Sequence, residues 1–246
     1  MLSWLPEDVS PYGAGIDALF YLIYYITAAA FFLVTFLMIV FLVRYRHQAG
    51  RRAVYTHGNT IVEIVWTVIP AMVFIGLGIA SKAKWDAMKV NIPETDTIIQ
   101  VTAKQFNWEV RYPGPDGRFN TADDKQADNE IYVPAGKPIR VILQSKDVIH
   151  SFFLPNLRFK QDAVPGRDIL AWFQANKPGK YEIPCAELCG FGHSGMRGWL
   201  HVLSPEDYSR WVAQQWPYIA TAQDTVATAV ALPDQQYKVD QTQREH

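Results

Sequence analysis

Cys185-Ala-Glu187-Leu-Cys189-Gly-Phe-Gly-His193-Ser-Gly-Met196 gathers both cysteines of a 246-residue chain, a histidine and a methionine into one short loop. Thiolate, imidazole and thioether are soft ligands that together select copper over magnesium, calcium or manganese. The loop alone holds too few of them for a closed zinc cage, which turns the reading toward redox chemistry. Two cysteines at i and i+4 could instead form a disulfide, but so small a ring gains little entropically and leaves His193 and Met196 without a purpose. Gly190, Gly192 and Gly195 suit a loop whose backbone must approach a metal or take positive φ, although an ordinary turn uses glycine too.

Upstream, Asp147-Val-Ile-His150-Ser-Phe-Phe-Leu-Pro155 supplies a second histidine, expected in a loop after the strand-like run Ile139 to Ser145. His150 followed by Cys185-x-Glu187-x-Cys189-x-x-x-His193-x-x-Met196 resembles the binuclear copper motif of cytochrome c oxidase subunit II. The flanks are similar as well, in Lys160-x-Asp162-Ala-Val-Pro165-Gly166-Arg167 and Lys177-Pro178-Gly179-Lys180-Tyr181, and the resemblance runs from about Ala18 to Trp211.

That resemblance implies a ligand set. Cys185 and Cys189 would bridge two coppers; one copper would add His193 and the main-chain carbonyl of Glu187, the other His150 and Met196. The carboxylate of Glu187 would help hold a magnesium or manganese ion at the contact with a catalytic subunit, in keeping with the oxygen preference of hard cations. The resemblance further implies an electron-accepting subunit of a haem-copper terminal oxidase, taking electrons from a c-type cytochrome and passing them to haem in a partner chain where oxygen is reduced. The copper subunit of a membrane nitric oxide reductase is the alternative of similar chemistry. A membrane-tethered copper-delivery protein is the alternative from a different class. A quinol-oxidising relative is disfavoured, since such subunits generally lack these copper ligands.

The rest of the chain says where the loop sits. Ala18 to Val43 carries no charge for 26 residues, and Ile61 to Ala80 gives a second apolar run of 20 interrupted by Glu63 and Pro70. Both reach the roughly 20 residues that cross a bilayer as a helix. A signal peptide is the rival for the first run, but no Lys or Arg precedes Arg44 and the run is long for an h-region. Arg44, Arg46, Arg51 and Arg52 crowd the connection, whereas only Glu7, Asp8 and Asp17 precede the first run. The positive-inside rule then makes that connection cytoplasmic and places both termini outside, in a bacterial-type inner or plasma membrane. Lys82 and Lys84 run against the rule and are expected to snorkel. Glu63, near the cytoplasmic end of the second run, matches a glutamate that the family places at the mouth of a proton pathway. Pro70 is expected to kink that helix.

After the membrane segment, β-branched and aromatic runs predict strands at Thr97–Thr102, Asn107–Tyr112, Pro138–Ser145, Ile169–Gln174, Lys180–Ile183 and Gly198–Leu203. This pattern favours an all-β sandwich; the resemblance specifies a Greek-key cupredoxin-like barrel. Leu203 to Gln215 reads as a short closing helix, with Ser204 as N-cap, Pro205 at the first helical position and Asp207 completing a capping box. The expected organisation is an external segment 1–17, a two-helix transmembrane hairpin 18–85 with a cytoplasmic loop 44–60, a copper domain 86–216 and a C-terminal tail 217–246, extended or disordered from about Ile219. No Cys-x-x-Cys-His occurs, which excludes a covalent haem of that type, and no nucleotide loop, basic stripe or internal repeat is present.

Net charge is −1, but from Asp86 onward 20 acidic residues face 17 basic ones. A weakly acidic face could steer a basic cytochrome, with Asp147 the acid nearest a ligand. Asp116 to Asp124 has the oxygen density of a cation loop but lacks the EF-hand glutamate, and reads better as a polar hairpin loop than as a calcium site. Where the family has Gln-Trp-Tyr-Trp, this chain has Gln105-Phe106-Asn107-Trp108. Phe106 thus replaces the tryptophan where electrons arrive, while Trp108 reads chiefly as core packing.

Overall fold

The computed structural model describes residues 4–52 and 54–217; the tail expected at 217–246 lies almost wholly outside them. Two long helices come first, α1 (Gly13–Arg44) and α2 (Thr60–Trp85). Both exceed their apolar runs. α1 begins a turn and a half early because Asp8 and Ser10 fix its approach: the Ser10 hydroxyl donates to Asp8 and accepts from the Gly13 amide. Asp17, inside α1, is tolerated because Arg158 grips it. The Asn59 side chain caps α2 by accepting from the Ile61 and Val62 amides at 3.1 and 3.3 Å. α2 runs through Pro70 as one helix and continues past Ala80 to Trp85, where Lys82 pairs with Asp86, before a single π-helical turn at Asp86–Val90.

The large apolar side chains of both helices are mostly exposed, among them Phe31, Phe32, Leu42, Trp66, Met72 and Phe74. Two helices apolar all round and long enough to cross a bilayer have lipid as their natural solvent. The Lys84 ammonium lies against Gly15, so the end of α2 meets the start of α1 and the two helices run antiparallel.

Ten strands follow among the described residues: β1 (Ile98–Lys104), β2 (Asn107–Tyr112), β3 (Lys125–Asp128), β4 (Glu130–Pro134), β5 (Pro138–Ser145), β6 (His150–Leu154), β7 (Phe159–Ala163), β8 (Ile169–Gln174), β9 (Gly179–Pro184) and β10 (Arg197–Leu203), closed by α3 (Pro205–Gln215). One sheet has the order β3-β2-β1-β5-β8, a second β4-β10-β9, and β6-β7 forms a ribbon. β1 runs parallel to β5 and β4 parallel to β10; the other pairs are antiparallel. Strict alternation of burial along β1, β2, β5 and β10 puts Ile99, Val101, Trp108, Val110, Val141, Leu143, Leu200 and Val202 inside with Phe152, Phe159 and Phe173. The architecture is a two-helix membrane hairpin followed by an all-β cupredoxin-like sandwich, as the sequence implies.

Two local expectations need correction. His150 opens a strand instead of lying in a loop: β6 is buried at four of its five positions, and such a run lacks the alternation that marks a half-exposed strand. At α3 the Ser204 hydroxyl does accept from the Asp207 amide at 3.1 Å, but the Asp207 carboxylate accepts a hydrogen bond from the Ser204 hydroxyl at 2.9 Å instead of one from the Ser204 amide. The capping box is therefore half made.

The N-terminal segment is laid against the sandwich. Val9 is buried, donates its amide to the Asn156 carbonyl at 2.9 Å and accepts from the Asn176 amide at 2.7 Å. Arg158 clasps Asp17 with two hydrogen bonds of 2.6 and 2.9 Å and reaches the Pro6 carbonyl, and Lys177 pairs with Glu7.

Candidate metal centre

At one end of the sandwich the ligand loop leaves β9 and returns through β10. Cys185, just past β9, is bridged to Phe152 of β6, so that strand delivers His150 beside it. The Cys185 amide bonds the Met196 carbonyl at 3.0 Å and closes the loop at its base.

Cys185 Sγ and Cys189 Sγ stand 3.9 Å apart as free thiols. His150 Nδ1 is 3.9 Å from Cys185 Sγ, His193 Nδ1 is 3.6 Å from Cys189 Sγ, and Met196 Sδ is 3.9 Å from Cys189 Sγ. The Glu187 carbonyl lies 3.3 Å from Cys185 Sγ. The candidate ligand atoms of His150, Cys185 and Cys189 all fall within 4.8 Å of one another, and all three residues are buried. Every sequence-predicted ligand is therefore brought together. Sulfur atoms 3.9 Å apart can share one ion at metal–sulfur lengths of about 2.3 Å without moving, and the donor set is soft; the site fits copper.

Burial and the neighbouring Cys185 push the Cys189 thiol up to about 11. Without metal that thiol keeps its proton at neutral pH. His150 is fully buried, and its Nε2 lies 2.8 Å from Asp147 Oδ1. A carboxylate can only accept, so Nε2 carries the hydrogen and Nδ1 is the nitrogen that faces the thiols. Burial raises the Asp147 carboxyl, but hydrogen bonds from His150 and from the Gln105 and Val148 amides outweigh it and hold the group below the usual carboxylate range. Asp147, singled out in the sequence as a steering charge, thus has its oxygens engaged by the protein.

Phe106 is 37% exposed and its ring rests on Gly190 and Gly192 of the ligand loop. Trp108 is wholly buried behind His150, with ring centroids 6.2 Å apart, and packs edge-on against Phe152. Around the loop Leu188 and Phe191 are exposed apolar side chains. The Glu187 side chain is exposed as well. Glu63 lies in the first turn of α2, far along the chain from the thiols, and its main-chain carbonyl accepts from the Thr67 hydroxyl. In the 116–124 loop the carboxylates are turned inward: Asp116 accepts from the Arg118 amide, Asp123 from the Thr121 hydroxyl and Asp124 from the Asn120 amide. Sequence reasoning gives Gln105 no role beyond its place in the run from Gln105 to Trp108, yet its side chain bonds the Cys189 carbonyl at 2.6 Å; a contact spanning 84 residues leaves no local signal.

A β-sandwich with a thiol, imidazole and thioether cluster at one end, carried on two membrane-spanning helices, defines a membrane-anchored cupredoxin-type protein. Comparison narrows this class. Residues 98–201 match the family model for the periplasmic domain of cytochrome c oxidase subunit II, and residues 2–83 match that for its transmembrane domain. The chain is 31% identical to the alternative cytochrome c oxidase subunit 2 of Bradyrhizobium diazoefficiens, over 86% of this chain and 84% of that one. It is 30% identical to cytochrome c oxidase subunit 2 of Thermostichus vulcanus, over 93% of this chain and 81% of that one. Among solved structures it resembles the periplasmic domain of subunit II of cytochrome oxidase of Bradyrhizobium japonicum, at 35% identity and a TM-score of 0.45, over 51% of this chain and 96% of that one. The chain belongs to the cytochrome c oxidase subunit II family and is a subunit of a haem-copper oxidase.

Proposed function

We propose that this chain accepts single electrons from a c-type cytochrome at a thiolate-bridged pair of coppers and passes them to haem in the catalytic subunit, where oxygen is reduced to water. The observation that carries the proposal is the convergence of two thiols, two imidazole Nδ1 atoms, a thioether and the Glu187 carbonyl on one spot, with His150, Cys185, Cys189 and Met196 buried. Cys185 and Cys189 would bridge the metals, His193 and the Glu187 carbonyl would complete one, and His150 and Met196 the other. When bound, such a pair supplies a one-electron carrier whose charge is shared over two metals and both sulfurs.

The chain's own residues do the rest. Asp147 holds His150 in the tautomer that offers Nδ1, and the packed walls of Trp108, Phe152 and Met196 limit water and ligand movement. Phe106, half-exposed and in contact with the ligand loop, serves as the apolar surface where the cytochrome docks, and buried Trp108 stands beside His150 on the electron's way in. The exposed carboxylate of Glu187 is offered to a magnesium or manganese ion at the catalytic-subunit contact. Glu63 collects protons at the opposite side of the membrane.

The same reading places the sandwich and both termini on the outer, periplasmic face, with 44–60 as the cytoplasmic loop. Hydrogen bonds tying Val9 to Asn156 and Asn176 support one side for the N-terminus and the copper domain, and the four arginines between the helices support the other side for the loop. The test is reduction of the copper-loaded chain by a reduced c-type cytochrome. Stoichiometric uptake of one electron per two coppers supports the proposal, and labile single copper that no cytochrome reduces would favour copper delivery instead.

A further inference from the structure

Three hydrogen bonds connect the ligand loop to His150 at the start of β6 through the turn between β1 and β2. The Gln105 side-chain amide donates to the Cys189 carbonyl at 2.6 Å, the Gln105 main-chain amide donates to Asp147 Oδ2 at 2.6 Å, and the other oxygen of Asp147 holds His150 Nε2 at 2.8 Å. We infer that Gln105 is a positioning residue of the metal centre, which locks the turn bearing Phe106 onto the ligand loop and couples Cys189 to His150. The inference rests on the reading of the site given under Proposed function.

The contact is built for close approach. A Cβ on Gly190, whose φ is +133°, would lie 2.7 Å from Gln105 Nε2 and 3.3 Å from the Phe106 ring, and a Cβ on Gly192 would collide with that ring. The positive φ favours glycine at Gly190, and at either position an added side chain would have to displace the Gln105 or Phe106 side chain. Neither near relative of glutamine serves in its place: asparagine is a methylene shorter, and glutamate at neutral pH has no hydrogen to donate to the Cys189 carbonyl. Fixing the peptide plane after Cys189 restrains one bridging thiol, and Asp147 restrains His150 beside the other. Any shift of the ligand loop must therefore move the Phe106 ring and Asp147, and with them His150.

The amide also has an electrostatic role. Its N–H dipole turns its positive end toward the Cys189 peptide and favours the electron-rich, reduced state of whatever the thiols hold; groups outside the ligand set commonly tune a centre in this way. Removing the amide lowers the midpoint potential, and a carboxylate in its place lowers it further. Loss of the seat also slows electron arrival, because Phe106 is no longer pinned to the loop.

The experiment uses the full-length, copper-loaded chain in detergent, with Gln105→Leu, Gln105→Glu and Phe106→Leu beside the wild type. Midpoint potential, paramagnetic resonance and the second-order rate of reduction by a c-type cytochrome are measured on each. Gln105→Leu is expected to keep the shared-electron signal, to have a lower midpoint and to be reduced about tenfold more slowly; Gln105→Glu has a lower midpoint still. Phe106→Leu slows reduction and leaves the midpoint where it was. Wild-type potential and rate in Gln105→Leu would overturn the inference, as would an equal midpoint shift in Phe106→Leu, which assigns the effect to packing. Where Gln105→Leu does not retain copper, Gln105→Asn replaces it, and an unchanged midpoint there also overturns the inference. A wild type without the shared-electron signal would sink the proposed function as well, whereas a normal wild type beside an unaltered Gln105→Leu sinks only the role of Gln105.

Discussion

Asp147 Oδ1 accepts the His150 Nε2 hydrogen at 2.8 Å, while His150 Nδ1 stands 3.9 Å from Cys185 Sγ. One carboxylate thereby decides which nitrogen of a fully buried imidazole is available to metal. A carboxylate behind a ligating histidine also raises its basicity, and losing such a partner typically costs about 10- to 100-fold in metal affinity. Asp147→Ala should therefore bind copper about tenfold or more weakly in a competition titration against a chelator. Unchanged affinity would remove Asp147 from the metal site and return it to the surface.

The raised Cys189 thiol gives a pH dependence with a definite sign. In the unfolded chain a thiol ionises near about 8.5, whereas in the folded, metal-free chain Cys189 holds its proton up to about 11. Above the lower value the unfolded state releases a proton that the folded state keeps, so the metal-free chain loses stability as pH rises. Between pH 8 and 9.5 its denaturation midpoint should fall, and Cys189→Ser should flatten that fall. An equally steep fall in the variant would contradict it. Copper binding displaces the same proton, so apparent copper affinity should rise over this range.

Arg158 and Asp17, 141 residues apart, form a clasp with both partners largely shielded from solvent. Arg158→Ala leaves Asp17 without its cation and frees the segment around Val9, whose amide bonds Asn156. Hydrogen exchange at Val9 should become at least about tenfold faster, since charge-assisted hydrogen bonds contribute about 1.5–3 kcal/mol each. Arg158→Lys should not restore protection, because an ammonium cannot make the forked contact. Protection equal to wild type in both variants would show that the clasp does not hold the segment.

Glu63→Gln is expected to slow turnover of the assembled oxidase severalfold while leaving the copper spectrum unaltered, because Glu63 sits at the start of α2 and the thiols sit in the sandwich. Oxygen-electrode turnover with parallel spectroscopy reads both. Normal turnover would take Glu63 out of the proton route.

Much of this was legible in the sequence where local pattern and long-range structure agree. Asn107–Tyr112, Pro138–Ser145 and Ile169–Gln174 are strands with the bounds their alternating apolar residues predict. Four strands were missed for physical reasons. β3 is a polar edge strand, exposed at three of its four positions; β4 ends in proline; β7 reads Phe-Lys-Gln-Asp-Ala; and β6 is buried along nearly its whole length. β3, β6 and β7 lack a period of two in hydrophobicity, β4 has it only over the short run Glu130 to Val133, and all four are held by their neighbours. The ligands were legible because metal chemistry restricts residue type and spacing. The Gln105, Asp147 and Arg158 contacts were not, since a hydrogen bond between residues 42, 84 or 141 positions apart writes nothing into either local segment.

The central claim is that Cys185 and Cys189 are shared by two coppers, and electron paramagnetic resonance of the full-length, copper-loaded chain tests it most directly. The account predicts a hyperfine pattern richer than one copper nucleus can give, lost in Cys189→Ser. A single-nucleus pattern, or no signal with the two thiols oxidised to a disulfide, would contradict it.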